Sequence, residues 1–131
     1  MVRGSDEPVI KPILACENPY KTAELFSDAG WNIDFSQSPE SGDPLVGVSL
    51  CDNSVLLGVT QNYVSDAQLE YLGSGVVMYI TVPSDKIERI YERHHFLKPS
   101  ELTVQPWGDT AFEVSIGDYK FMIAAQSRET L

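Results

Sequence analysis

One pattern of apolar spacing occurs twice in this chain, so a fold built on it must consist of two similar halves. The first half opens with "VIKPILAC", residues 9–16, an apolar run of strand length. It continues into "ENPYKTAELFSDAG", where Asn18 is placed to cap a helix, Pro19 to fill its first position and Gly30 to end it. Three alternating segments follow, "WNIDFSQ", "LVGVSLC" and "SVLLGVTQ", separated by "SPESGDP" and by the tight pair Asp52-Asn53. "NYVSDAQLEYLGSG" has turn residues at both ends and reads as a connector. The pattern restarts at Val76, 67 residues after Val9. "VVMYITVP" is a strand, Ser84 is an N-cap for the helix "DKIERIYERHHFL", and "LTVQP", "TAFEVSI" and "YKFMIAA" are three more strands. The expected class is α+β: a single domain over 1–131 made of two tandem βαβββ modules, about 8–62 and 75–126, with the connector at 63–74.

One helix covers one face of each sheet and leaves the other bare. Two modules side by side are expected to curl the bare faces into one half-barrel concavity, with the helices on the outer face. Alternation then sorts the side chains. Val76, Met78, Ile80 and Val82 form an apolar row for the helix side, and Val77, Tyr79 and Thr81 a mixed row for the concavity. In the last strand Tyr119, Phe121 and Ile123 oppose Lys120, Met122 and Ala124.

Composition narrows the partners. A hydrophobic content of 43% supports a core without staples, and Cys16 and Cys51 stand apart from any metal-ligand spacing. They read as free thiols. A formal net charge of −10 with no clustered basic face argues against nucleic acid and would attract a cationic ligand. No basic start precedes a long apolar stretch, and the longest apolar run is too short to span a bilayer. The expectation is a cytoplasmic protein with no membrane partner.

The paired modules, "LEYLGSG" running into "VVMYITVPSDKIERIYER", and "QPWGDTAFEVSIGDYKFMI" together resemble the vicinal oxygen chelate superfamily, which includes glyoxalase I, extradiol dioxygenases and bleomycin resistance proteins. The resemblance covers roughly 8–126, although "SIGD" stands where the family usually has "DPDG". It implies four metal-ligand positions near Lys11, Leu57, Val77 and Met122, none a competent donor for a hard or borderline divalent ion. The neighbours Pro12, Leu56, Gly58, Val76, Met78 and Phe121 are no better. The branch it implies is therefore the metal-free bleomycin-resistance type: a homodimer, in some relatives with modules swapped, that uses no cofactor and sequesters a cationic or planar antibiotic in an aromatic groove.

Candidate ligand-binding residues are Trp107 at the "PWG" position, Tyr79, Phe35, Lys11, Leu57, Val77, Met122 and Glu113. Each has a plainer alternative. Trp107, Trp31 and Phe35 could pack in the core, Lys11 could snorkel from a strand edge, and Glu113 could face solvent. His94 and His95, late in the second helix, are expected in a solvated role opposite the macrodipole, facing away from the cavity. No catalytic residue and no nucleophile–histidine–carboxylate set declares itself. The alternative function is a metal-dependent lyase, isomerase or dioxygenase of the same superfamily, in which Glu70, Glu113 and the histidines would gather.

Overall fold

The computed structural model describes residues 8–126 and contains two four-stranded sheets of the same topology. The first is built from β1 (Ile13–Cys16), β2 (Asn32–Ser36), β3 (Leu45–Leu50) and β4 (Asn53–Val59), in the order β1-β4-β3-β2. The second repeats it with β5 (Val77–Thr81), β6 (Thr103–Val104), β7 (Thr110–Ile116) and β8 (Tyr119–Ala125), in the order β5-β8-β7-β6. In each sheet the first and last strands are parallel and the other pairs antiparallel. A parallel pair needs a crossover connection, and α1 (Pro19–Asp28) and α2 (Ile87–Arg93) lie within those crossovers. The sheets are curled and neither closes, so the α+β class and the two βαβββ modules are as the sequence implies.

Local chemistry sets the boundaries. The Asn18 side chain accepts from the N–H groups of Tyr20 and Lys21, and Pro19 fills the first turn. β1 is shorter than the run 9–16, because Pro12 has no N–H for the ladder. Its carbonyl still accepts from Leu56 N–H at 2.8 Å. The β3–β4 turn sits on Cys51 and Asp52, one residue earlier than the pair read from sequence, with φ of 49° and 72°. Asn53 instead opens β4, and its amide donates to the carbonyls of Leu50 at 3.0 Å and Thr81 at 2.9 Å. α2 begins at Ile87 behind Lys86, so Ser84 is not its capping residue. It ends at Arg93, and 95–97 form a 3-10 turn. "LTVQP" supplies only the two residues of β6.

The packing corrects the expectation that the bare faces of the two modules meet in one concavity. The faces that meet are the helix-side faces. Leu14, Val46, Val48 and Leu57 of the first sheet share one buried cluster with Ile80, Phe112, Val114, Phe121 and Ile123 of the second. Phe26 of α1 stacks edge-on against Trp31 at 4.9 Å and against Phe121 at 5.7 Å, and Trp31 meets Phe121 at 5.4 Å. α1 is thus covered by its own sheet on one side and reached by the second sheet on the other. A ten-residue helix cannot cover a four-stranded face alone, and joining the two apolar faces removes both from water. The Tyr119 hydroxyl, donating to the Ala15 carbonyl at 2.7 Å, ties the modules again. Among the described residues no helix is long and apolar enough to cross a membrane.

Candidate functional site

Each sheet keeps one open face directed away from the shared core, and strand register fixes which residues it carries. On the first sheet Ile13, Leu56, Gly47 and Phe35 are partners across β1, β4, β3 and β2. The Phe35 ring lies over Gly47, where any side chain would collide with it, and the Tyr63 ring lies over Gly58 in the same way. Phe35 remains 40% exposed. Leu57 is a correction: it faces the core with no exposed surface, and Leu56 stands on the open face in its place. A one-residue slip exchanges the two faces of a strand, and adjacent leucines give no parity signal to prevent the slip. Lys11 is exposed just before β1.

On the second sheet Tyr79, Met122 and Glu113 form one row across β5, β8 and β7, and Val77, Lys120 and Ser115 form the next. Glu113 is therefore on the open face, half-buried beside Met122. Trp107 reaches this face from the β6–β7 loop. A turn closed by Gly108 N–H to the Gln105 carbonyl at 2.9 Å, with Gly108 at φ 106°, presents the indole, which is 57% exposed. Its ring centroid is 6.4 Å from that of Tyr79, tilted by 52°. The indole Nε1–H donates to the Tyr79 hydroxyl at 2.9 Å, and that hydroxyl donates to the Asp109 carboxylate. Burial and the bond to Asp109 hold the Tyr79 phenol above its ordinary range, so it stays a protonated donor. The carboxylate retains capacity for further bonds after accepting one. The result is two fixed rings with an anion at their edge. Asp109 was not singled out from the sequence; its place beside "PWG" was the only local signal, and its partner lies 30 residues away.

The sequence candidates thus fall into two groups on different sheets, Phe35 on one and Tyr79, Trp107, Val77, Met122 and Glu113 on the other. Where the modules adjoin, a groove of about 650 Å³ lies between the segment at Val9 and Ile10, Trp31, Asn53, and Met78 and Tyr79 of β5. The solvated role expected for His94 is also corrected. His94 is wholly buried, accepting from the Trp31 indole Nε1–H at 2.9 Å on Nε2, so its Nδ1 carries the proton toward the Ile90 carbonyl at 2.8 Å. His95 is exposed, edge-on to Tyr91 at 5.8 Å. Burial pushes the Cys16 thiol up to about 11, which leaves it protonated and unreactive. Among the described residues no three of His, Cys, Asp and Glu come together as a metal ion requires.

No protein-family model and no curated protein matches this chain. Solved structures do. A bleomycin-binding protein complexed with bleomycin is 12% identical, covers 92% of this chain and 100% of its own, and has a TM-score of 0.66. A member of the glyoxalase/bleomycin resistance protein/dioxygenase superfamily from Sphaerobacter thermophilus is 16% identical over 92% of this chain and 98% of its own, with a TM-score of 0.67. A lactoylglutathione lyase from Agrobacterium tumefaciens is 10% identical over 98% and 100%, with a TM-score of 0.61. The chain has the paired-module fold of the vicinal oxygen chelate superfamily.

Proposed function

We propose that this protein is a metal-free binding protein that captures a planar, cationic small molecule on the open face of its second sheet. The observation that carries this reading is the Trp107–Tyr79–Asp109 cluster. An exposed indole held in place by hydrogen bonds stacks on a planar ligand at little entropic cost, and a carboxylate beside it balances a positive charge. Glu113 and the apolar Val77 and Met122 extend the same face, and the net charge of −10 draws cations toward it. The similarity in fold to a bleomycin-binding protein supports the same ligand class, an antibiotic included. The donor set supports a metal-free site, since Val77 and Met122 carry no donor for a hard or borderline divalent ion and, among the described residues, the carboxylates of Glu113 and Asp109 are not part of any group of three that could hold one.

A second copy of the chain completes the site in this reading. Ile13, Phe35, Val77 and Tyr79 all leave substantial apolar surface on open faces, and pairing one chain's first sheet with the other's second would enclose a groove between them. Lys11 lies at the rim of such a groove. Exchange of modules between chains would give the same groove. Two free thiols, Cys16 and Cys51, suit a cytoplasmic location.

The test is a titration of tryptophan fluorescence with a bleomycin-class glycopeptide, with and without chelator. Trp31 is buried, so Trp107 is the exposed reporter. The expected result is saturable quenching that is indifferent to chelator, and an affinity, read by calorimetry because the variant lacks the reporter, that is weakened up to about tenfold in Trp107→Ala, the size of one lost stacking contact. Quenching that needs a divalent ion would favour the metal-dependent enzyme instead.

A further inference from the structure

We infer that the basic pocket between α2 and the end of α1 is a binding site for a small phosphate group, separate from the aromatic face. Lys86, Arg89 and Arg93 line it, with Gly30, Cys51 and an apolar floor of Ala29, Leu50 and Ile90. Three of the chain's nine Lys and Arg residues therefore gather in one pocket of about 230 Å³ on a protein of net charge −10. Spacings of three and four keep Lys86, Arg89 and Arg93 from forming a basic run in the sequence.

The helix geometry explains the segregation. At 100° per residue, Arg89 and Arg93 fall on one strip of α2, beside the inward row Ile87, Ile90 and His94, and Lys86 stands in line with them just before the helix; Glu88 and Glu92 do not line the pocket. Like charges three and four residues apart on a helix repel, which costs stability unless something neutralises them. Among the described residues none of the three makes an ion pair or a side-chain hydrogen bond. Asp28 and Asp52 are close in sequence to the pocket but do not line it. The carbonyl end of α1 at Ala29 and Gly30 faces Arg93, whose guanidinium would contact a Cβ at position 30 at 3.5 Å. That end carries only about half a negative charge, against three cations.

The occupant is small. The pocket is below the roughly 300–1,000 Å³ of drug-sized sites, and a polyanion crossing it would run onto an acidic surface. Two guanidinium forks and an ammonium suit the tetrahedral oxygens of phosphate. The floor of Leu50 and Ile90 leaves room for a short organic part, so both free phosphate and a phosphomonoester fit the chemistry.

Calorimetric titrations with inorganic phosphate and with phenyl phosphate, each against sodium chloride at equal ionic strength, test the site. The expected result is saturable phosphate binding with Kd on the order of 1 mM. It should weaken about tenfold in Arg89→Gln, with Lys86→Gln as a second variant because it too is exposed and away from the core. Tighter binding of phenyl phosphate would identify a phosphomonoester as the occupant, and equal binding free phosphate. Heat no greater than that of chloride, or binding unchanged in both variants, would overturn the proposal.

Discussion

Phe121→Ala is expected to destabilise the fold by about 3–5 kcal/mol, the usual range for emptying a buried aromatic site, and to lower Tm by roughly 10–20 °C. Phe121 has no exposed surface and stands where the two modules join, edge-on to Phe26 and Trp31. Its loss opens the seam between the halves as well as the core of one. β8 also carries Lys120 and Met122 on its other face, so thermal unfolding and ligand titration should both respond. Phe121→Leu, which refills much of the volume, should recover most of the loss. A Tm within a few degrees of the parent would mean that the modules do not depend on a shared core.

His94 gives the second large effect, and it depends on pH. Its neutral imidazole accepts the indole proton of Trp31, and burial, with the charge of Arg93 adding to it, holds its pKa below the ordinary 6.5 against the opposing bond to Ile90. A histidine depressed in the folded state binds its proton more readily when unfolded. Its contribution is present in full above about pH 6.5 and is lost as the pH falls from there through the folded value. His94→Ala should cost roughly 2–4 kcal/mol at pH 7.5, because it leaves a cavity and an orphaned indole N–H. The variant should also lose part of the parent's acid sensitivity below pH 6.5. Urea unfolding at a series of pH values checks both. Equal slopes against pH in parent and variant would show that His94 does not titrate on unfolding.

What the sequence made legible was whatever is written locally. β7 and β8 match their alternating runs residue for residue, and the Asn18-Pro19 cap places the start of α1. The row Val77, Tyr79, Thr81 is legible from parity, because polar and apolar residues alternate there. "SVLLGV" lacks that alternation, so nothing in it checks the position near Leu57 that the resemblance implies, and the open face carries Leu56 instead. Partners far apart in sequence leave no local mark. Trp31 and His94 are separated by 63 residues, and the inward row Ile87, Ile90, His94 could have hinted at burial without naming what covers the ring. Tyr79 and Asp109 are separated in the same way. The joining of the helix-side faces is a matter of which apolar surfaces find each other, and periodicity within one module does not specify it.

The most direct measurement is a map of backbone amide shifts on titration with a bleomycin-class glycopeptide in the presence of chelator. Shifts centred on Val77, Tyr79, Trp107, Asp109, Glu113 and Met122 are the result this account predicts. Shifts centred instead on the groove at Val9, Ile10, Asn53 and Met78, with the Trp107 loop unmoved, would contradict it.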